Sequence, residues 1–459
     1  MNTLKFNLMN GDSITHNVND HITLYDIILE IPDSNEYIYK VFIQGQEECV
    51  FIKTLLTTLH NENKPVFLLK ANISESLKIL HQHSTFPLNI HDLYYNTSLL
   101  IKYYCVSLEP LKELTHLTEL DIRYSHNTNT TYIKPIQSLT NLVSLTLSRC
   151  INVATLYDIQ YLKQITNLHI LDAPMLIDIY NIQSLNKLTH LTLNRCSVLT
   201  NVSYIKYLTQ LEELYIYNCS NIYDISFLSY LFKLNTLCLY KCKSIYDISP
   251  LNEVYNIKDL TLFTDKTCFI DNIEIIQNLI NLTSLKLKCN TNTNNILLQT
   301  QLIREFKNLK TLELYDCSVF AEIELPIQLT TLHLYKCNIF TLDTIKHMTT
   351  LESLYIIIDT CQLYTNDISH VLYNLDYINC FTSLEHLRLE GLFNIDVSKI
   401  VELHTLKRLY LRNNINLKNL DLVRRISTIE SVDIVDCYTL EEDNTQLSFI
   451  RNTPEYNYT

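Results

Sequence analysis

Leu211-Glu212-Glu213-Leu214-Tyr215-Ile216-Tyr217-Asn218-Cys219 is the stretch whose reading decides the fold. Its spelling returns as Leu234-Asn235-Thr236-Leu237-Cys238-Leu239-Tyr240-Lys241-Cys242. It returns again as Leu309-Lys310-Thr311-Leu312-Glu313-Leu314-Tyr315-Asp316-Cys317 and as Leu329-Thr330-Thr331-Leu332-His333-Leu334-Tyr335-Lys336-Cys337. All read LxxLxLxxC. Working outward, the second leucine or its stand-in is found at Leu120, Leu145, Leu171, Leu191, Leu214, Leu237, Leu260, Leu285, Leu312, Leu332, Leu354, Leu387, Leu409 and Val432. Successive steps run from 20 to 27 residues, apart from one of 33 between Leu354 and Leu387, and centre near 23. Leu171, flanked by steps of 26 and 20 and followed by Ala173 and Pro174, reads as a break in the pattern. A fixed period of this length over fourteen units is the signature of a stacked repeat architecture.

The period has a physical reading. The LxLx alternation is a short strand with one buried face. A single unit cannot bury that face alone, so neighbours must stack it into a continuous core. The ninth position is Cys at Cys150, Cys196, Cys219, Cys242, Cys317, Cys337 and Cys437, and Asn at Asn290 and Asn414. A small, weakly polar side chain at one repeat phase is a packing ladder and not a disulfide framework.

The spacing LxxLxLxx[N/C]xL is that of leucine-rich repeats, and residues 100 to 440 closely resemble that family. Lines such as Tyr223-Asp224-Ile225-Ser226-Phe227-Leu228 and Tyr246-Asp247-Ile248-Ser249-Pro250-Leu251 resemble the short-repeat subclass of bacterial internalins and of the leucine-rich-repeat regulators of type-1 protein phosphatase. The resemblance implies an α/β solenoid: a curved parallel sheet inside, with 3₁₀ or helical turns on the convex side. Ile296–Phe306 has the periodicity of a longer helix. The long step inserts roughly ten residues around Thr360–Tyr373, which reads as a surface loop.

Residues 1–71 lack the repeat. Thr3–Met9 and Ser13–Val18 alternate around Asn10-Gly11, a hairpin signal. Thr23–Ile31 suits a short helix ending at Pro32, and Tyr39–Gly45 and Pro65–Lys70 read as strands. This order resembles a small α+β, ubiquitin-like β-grasp domain, a resemblance that would place Met9, Phe42 and Leu68 at positions of ubiquitin's apolar recognition patch. The expected organisation is thus a β-grasp-like domain over 1–71, a linker and N-terminal cap over 72–105, the repeats over 106–440, and a C-terminal cap or tail over 441–459.

Composition bounds the function. The chain of 459 residues is 47% hydrophobic and 19% charged, enough to bury a core. Its bias toward Ile, Asn, Leu and Tyr is similar to that of proteins from AT-rich genomes, such as those of giant viruses or amoebae. A net charge of −13 with no basic run argues against nucleic acid. No signal peptide and no apolar run of about 18 residues points to a membrane, so the expected compartment is the cytoplasm, a host's if the chain is viral. With only Gly11, Gly45 and Gly391, no phosphate-cradling loop can be spelled, and kinase and hydrolase motifs are absent. His81, His83 and His91 lack Cys or acidic partners at ligand spacing, so no metal site and no cofactor is expected. The ladder cysteines read as core and therefore inert. Bacterial leucine-rich-repeat ubiquitin ligases carry a catalytic domain after the repeats; 22 residues follow Cys437, so none is expected here.

What remains is a non-enzymatic binding protein. In this family the residues between the leucines face the concave side. After the third leucine come Tyr217, Tyr240, Phe263, Tyr315 and Tyr335, with Lys288 interrupting, and between the second and third come Tyr215, Tyr355 and Tyr410. Aromatic rows of this kind are the mark of interfaces. The neighbouring Glu213, Lys241, Lys286, Glu313, Asp316, Lys336, Arg388 and Arg412 are mixed in sign, which suits a polypeptide partner better than a polyanion. The expected role is a protein-interaction scaffold or adaptor. The alternative is a regulatory subunit of a host enzyme, such as a protein phosphatase or ubiquitin ligase.

Overall fold

The computed structural model describes residues 3–8, 13–17, 37–43, 66–72 and 97–437, apart from 104–107, 125–132, 264–271, 289–302, 317–324, 338–341 and 359–374. Outside the described residues lie the expected helix Thr23–Ile31, Met9, His81, His83 and His91, and the ladder positions Asn290 and Cys317. So do most of Ile296–Phe306, the loop Thr360–Tyr373 and the C-terminal segment 441–459. The chain divides into two compact units, Met1–Leu199 and Thr200–Thr459.

The first unit carries a four-stranded mixed sheet built from β1 (Thr3–Leu8), β2 (Ser13–Asn17), β3 (Tyr37–Ile43) and β4 (Val66–Asn72), in the order β2-β1-β4-β3. β1 and β2 form an antiparallel hairpin, β1 runs parallel to β4 with Leu8 opposite Leu68, and β3 is antiparallel to β4 with Phe42 opposite Phe67. The same unit holds five repeat strands: β5 (Ser98–Tyr103), β6 (Glu119–Tyr124), β7 (Ser144–Ser148), β8 (Asn167–Leu171) and β9 (His190–Asn194), each parallel to the next.

Two details differ from the sequence reading. Leu145 pairs with Leu168, and Leu168 with Leu191, so the second leucine of the third unit is Leu168 and not Leu171. The steps of 26 and 20 become two steps of 23, and the apparent break disappears. Ala173 then holds the ladder position, 1% exposed, and the coil buries Ile165, Leu168, Ile170, Ala173, Leu176, Ile179, Ile182 and Leu185. The second difference is β5, which pairs Leu99 with Leu120 and Ile101 with Ile122 inside the segment expected to link and cap.

After each strand the buried positions recur every third residue, as Ala173, Leu176, Ile179, Ile182 and Leu185 do. A period of three is that of the 3₁₀ helix, not of the 3.6-residue α-helix. Short 3₁₀ turns accordingly close the coils, at Glu109–Glu113, Lys134–Ser138, Tyr157–Tyr161 and Tyr180–Ser184 in this unit.

The second unit repeats the plan through β10 (Glu213–Tyr217), β11 (Thr236–Tyr240), β12 (Asp259–Phe263), β13 (Ser284–Lys288) and β14 (Thr311–Tyr315). It continues with β15 (Thr331–Tyr335), β16 (Ser353–Ile357), β17 (His386–Glu390), β18 (Arg408–Arg412) and β19 (Ser431–Val435). Neighbours are parallel and in register, leucine opposite leucine, from Leu214–Leu237 to Leu387–Leu409. The Asp-Ile-Ser spelling now has a cause. Asp224 Oδ1 accepts the Ser226 amide and Asp247 Oδ1 the Ser249 amide, both at 2.8 Å, and Asp396 does the same for Ser398 at 3.0 Å. An aspartate turning back on its own backbone starts the 3₁₀ turn that the following residues continue.

The ladder is hydrogen-bonded. Cys242, Cys337 and Cys437 donate Sγ–H to the carbonyls of Ile216, Leu314 and Leu411 in the preceding coil, at 3.3–3.4 Å. Asn414, fully buried, donates at 2.9 Å to Leu389 O, the equivalent carbonyl, and accepts at 2.9 Å from the Leu392 amide. Burial pushes the Cys150 and Cys242 thiols up to about 12, so they stay protonated donors. The residue before the ladder position is left-handed in coil after coil. Arg149, Asp172, Arg195, Asn218, Lys241, Asp316, Lys336, Asn413 and Asp436 have φ of 51–58°, and Gly391 has 73°. This conformation turns the amide toward the next coil, as in Asn218 N to Tyr240 O at 2.7 Å and Gly391 N to Arg412 O at 3.0 Å.

Candidate protein-binding face

The leucines of each strand point into the core, so residues at the alternate positions stand on the open face of the sheet. Register turns them into columns in the second unit. One runs Tyr215, Cys238, Thr261, Lys286, Glu313, His333, Tyr355, Arg388, Tyr410 and Asp433. The next begins with Tyr217, Tyr240 and Phe263 and continues from Lys288 through Tyr315, Tyr335, Ile357, Glu390 and Arg412.

The aromatic side chains of these columns touch in sequence. Ring centroids are 6.0 Å apart for Tyr215 and Tyr217, 6.1 Å for Tyr217 and Tyr240, and 4.6 Å for Tyr240 and Phe263. Phe263 meets Tyr315 edge-on at 4.7 Å, and Tyr315 stacks on Tyr335 at 4.3 Å. Such offset and edge-to-face pairs contribute about 0.5–1.5 kcal/mol each beyond the area they bury. Lys288 does not interrupt the row. Its side chain is 12% exposed, its ammonium is 3.3 Å from the Asp316 carboxylate and 5.1 Å from the Phe263 ring centre, and the rings of the flanking strands meet across it.

His333 extends the series. Its ring lies 6.3 Å from Tyr335 and stacks on Tyr355 at 3.9 Å. Thus Tyr215, Tyr217, Tyr240, Phe263, Tyr315, Tyr335 and Tyr355 form one chain of ring contacts, while Tyr410 stands apart under the Arg388 guanidinium at 5.3 Å. Rings in the chain are half-buried against each other, and Tyr410 is the exposed one, at 39%.

Glu313 is the electrostatic centre of the face. It is 8% exposed, accepts from the Tyr315 hydroxyl at 3.0 Å and pairs with Lys286 at 2.9 Å, with His333 Nδ1 3.8 Å away. Burial alone would raise its pKa, but the hydrogen bonds from His333, Lys286 and Tyr315 and the charge of Lys286 outweigh burial and hold it at about 2. The phenols move the other way. Burial and neighbouring groups, Glu213 for Tyr215 and Glu313 for Tyr335, push both up to about 12, and Tyr217 and Tyr315 are raised as well. Those four phenols therefore stay protonated and present hydroxyls across the physiological range.

Sequence reasoning found the aromatic positions but missed the Glu313–Lys286–His333 cluster and the 6%-exposed Cys238 beside Tyr217. All four occupy the middle position of the LxL spelling, which marks them as face residues but does not say which will pair. It also passed over Tyr223, Tyr230, Phe232, Tyr246 and Tyr255, which are 49–64% exposed and lie outside the strands. A shallow surface groove of about 710 Å³ in the first unit, bordered by Lys134, Gln137, Asn152, Tyr157, Asp158 and Tyr161, lies along its 3₁₀ turns. Among the described residues no group of three His, Cys, Asp or Glu is placed to hold a metal ion, and no helix is long and apolar enough to cross a membrane.

Parallel in-register strands, a buried Cys/Asn ladder and 3₁₀ returns define a leucine-rich-repeat fold. Several solved structures are similar to this chain. An internalin of Listeria monocytogenes is 20% identical with a TM-score of 0.48, over 78% of this chain and 93% of that one. A leucine-rich-repeat protein of Leptospira interrogans is 19% identical with a TM-score of 0.44, over 74% and 95%. A plant peptide hormone receptor, solved in complex, is 14% identical with a TM-score of 0.35, over 74% and 66%. No protein-family model and no curated protein matches the chain.

Proposed function

We propose that the chain is a non-enzymatic scaffold that holds a polypeptide target on the open face of its repeat strands. The observation that carries this is the unbroken series of ring contacts from Tyr215 to Tyr335, six strands wide. Tyrosine contributes apolar area and a hydroxyl with few rotatable bonds, which suits it to recognition. The net charge of −13 favours a protein over a nucleic acid as partner. Thiols used as ladder donors favour a reducing compartment, the cytoplasm, since a disulfide has no proton to donate. In the N-terminal sheet, the hairpin next to a last strand parallel to the first supports the β-grasp reading. A second partner docked there would make the chain an adaptor.

The test is affinity capture from lysate with mass spectrometry, comparing the intact chain with a variant carrying Tyr217→Ala, Tyr240→Ala, Tyr315→Ala and Tyr335→Ala. A partner held by the first and lost by the second, with unchanged circular dichroism, is the expected result. Equal retention by both would remove the stripe from the binding surface.

A further inference from the structure

The open face is not electrically uniform. Toward its first strands it carries Glu213 and Asp259, and its central lysines are committed, Lys286 to Glu313 and Lys288 to Asp316. On β17 and β18 the face positions are His386, Arg388, Glu390, Arg408, Tyr410 and Arg412. Three arginines there meet Glu390, with Asp433 on β19 engaged by the Tyr410 hydroxyl, in a chain whose net charge is −13.

Glu390 does not neutralise the group. It accepts from Arg388 Nη2 at 2.7 Å and lies 3.9 Å from Arg412 Nε, which leaves Arg408, exposed on the neighbouring strand, with no carboxylate within salt-bridge distance among the described residues. Arg388 Nε and His386 Nδ1 are buried and have no hydrogen-bond partner among the described residues. Arginine offers its donors as a planar fork, and the Arg388 side chain, 28% exposed, keeps part of that fork open to a second acceptor beside Glu390. The guanidinium is already oriented, 5.3 Å over the Tyr410 ring and next to Tyr355 in register.

We propose that Arg388 and Arg408 form a pocket for an acidic side chain of the partner, beyond the end of the aromatic stripe. This deepens the open-face reading and rests on it. The spacing specifies the partner further. From Tyr335 on β15 to Arg388 on β17 is two strand steps across and two residues along the strand, about 12 Å in all, and an extended chain advances about 3.3 Å per residue. A segment crossing the strands therefore places an aspartate or glutamate about three to four residues from an apolar or aromatic residue seated on Tyr315 and Tyr335. The acid fixes its direction across the face, because the opposite end of the face carries Glu213 and Asp259.

The experiment is to pan a phage-displayed random dodecapeptide library on the full-length chain and measure the enriched peptides by fluorescence anisotropy. Three variants are compared with the parent: Arg388→Gln with Arg408→Gln, Arg388→Glu with Arg408→Glu, and Tyr315→Ala with Tyr335→Ala. Circular dichroism checks that each is folded. The expected peptides share an acid at the stated spacing, bind the glutamine variant about tenfold or more weakly, and bind the charge-reversed variant again when their acid is changed to lysine. Peptides that need Tyr315 and Tyr335 but ignore both arginine variants would overturn this pocket and leave the stripe standing. Indifference to all three variants, or a library without binders, would remove both. A phosphoserine replacing the acid and binding about tenfold more tightly would overturn the assignment to a carboxylate.

Discussion

Single residues hold this fold to its register, and two of them show opposite effects of the same turn. At Gly391 φ is +73°, and a Cβ built there would stand 2.4 Å from Ile358 O, a backbone atom that cannot swing aside. Gly391→Ala should therefore cost about 2–4 kcal/mol, read as a lowered urea midpoint. Arg195 adopts the equivalent left-handed turn, φ 55°, with an exposed side chain. Arg195→Gly should stabilise by about 0.5–1 kcal/mol, because a strained residue is relieved where nothing is lost. Glu313 gives a pH signature. Its folded-state pKa of about 2 lies below the ordinary 4.5, so its contribution is complete above pH 4.5 and is lost as pH falls toward 2. That contribution is about 3 kcal/mol, and Glu313→Gln should flatten this part of the acid-unfolding profile. The position was legible from the LxL spelling, but the pairing was not. Which lysine and histidine reach a carboxylate depends on side chains one strand away on either side.

At the level of the element, the ladder converts one small side chain per coil into a bond between coils. Asn414→Ala would leave the Leu392 amide buried without a partner, at about 1–3 kcal/mol, and remove one donor from the Leu389 carbonyl. Calorimetry should show that loss, with Asn414→Cys milder, since a thiol can still donate to Leu389. Ladder thiols in the native chain should resist a disulfide-exchange reagent and react only after denaturation. Strand β19 buries no residue fully, unlike the interior strands, so its amides should exchange faster than those of β14. The strands themselves were legible because leucine pairs repeat at fixed spacing. Leu171 misled because it follows Ile170, which, like Leu168, is the core residue: two aliphatic residues in a row leave the phase open until the neighbouring coil sets it. β5 escaped because Asn96 stands where the other units have Leu or Ile.

At the largest scale, each described coil within a unit packs on its neighbours in sequence, so contacts are local and defects should stay local. Leu312→Ala, at a fully buried site, should cost about 3–5 kcal/mol. Hydrogen exchange should show protection falling in β13, β14 and β15 and holding in β18. The repeat plan was legible over most of the chain because burial imposes period on sequence. The open face was only half legible, since exposure imposes none, and Lys288 looked like a gap until the flanking rings were seen to meet across it. The left-handed turns carry one more implication. They demand a backbone shape more than a side-chain chemistry, and in the second unit Asn218, Lys241 and Lys336 fill them with a positive charge or none. The rim of the face is thus a row of interchangeable characters on a fixed line. Substitutions there can rewrite which partner is admitted while the coil beneath keeps its shape.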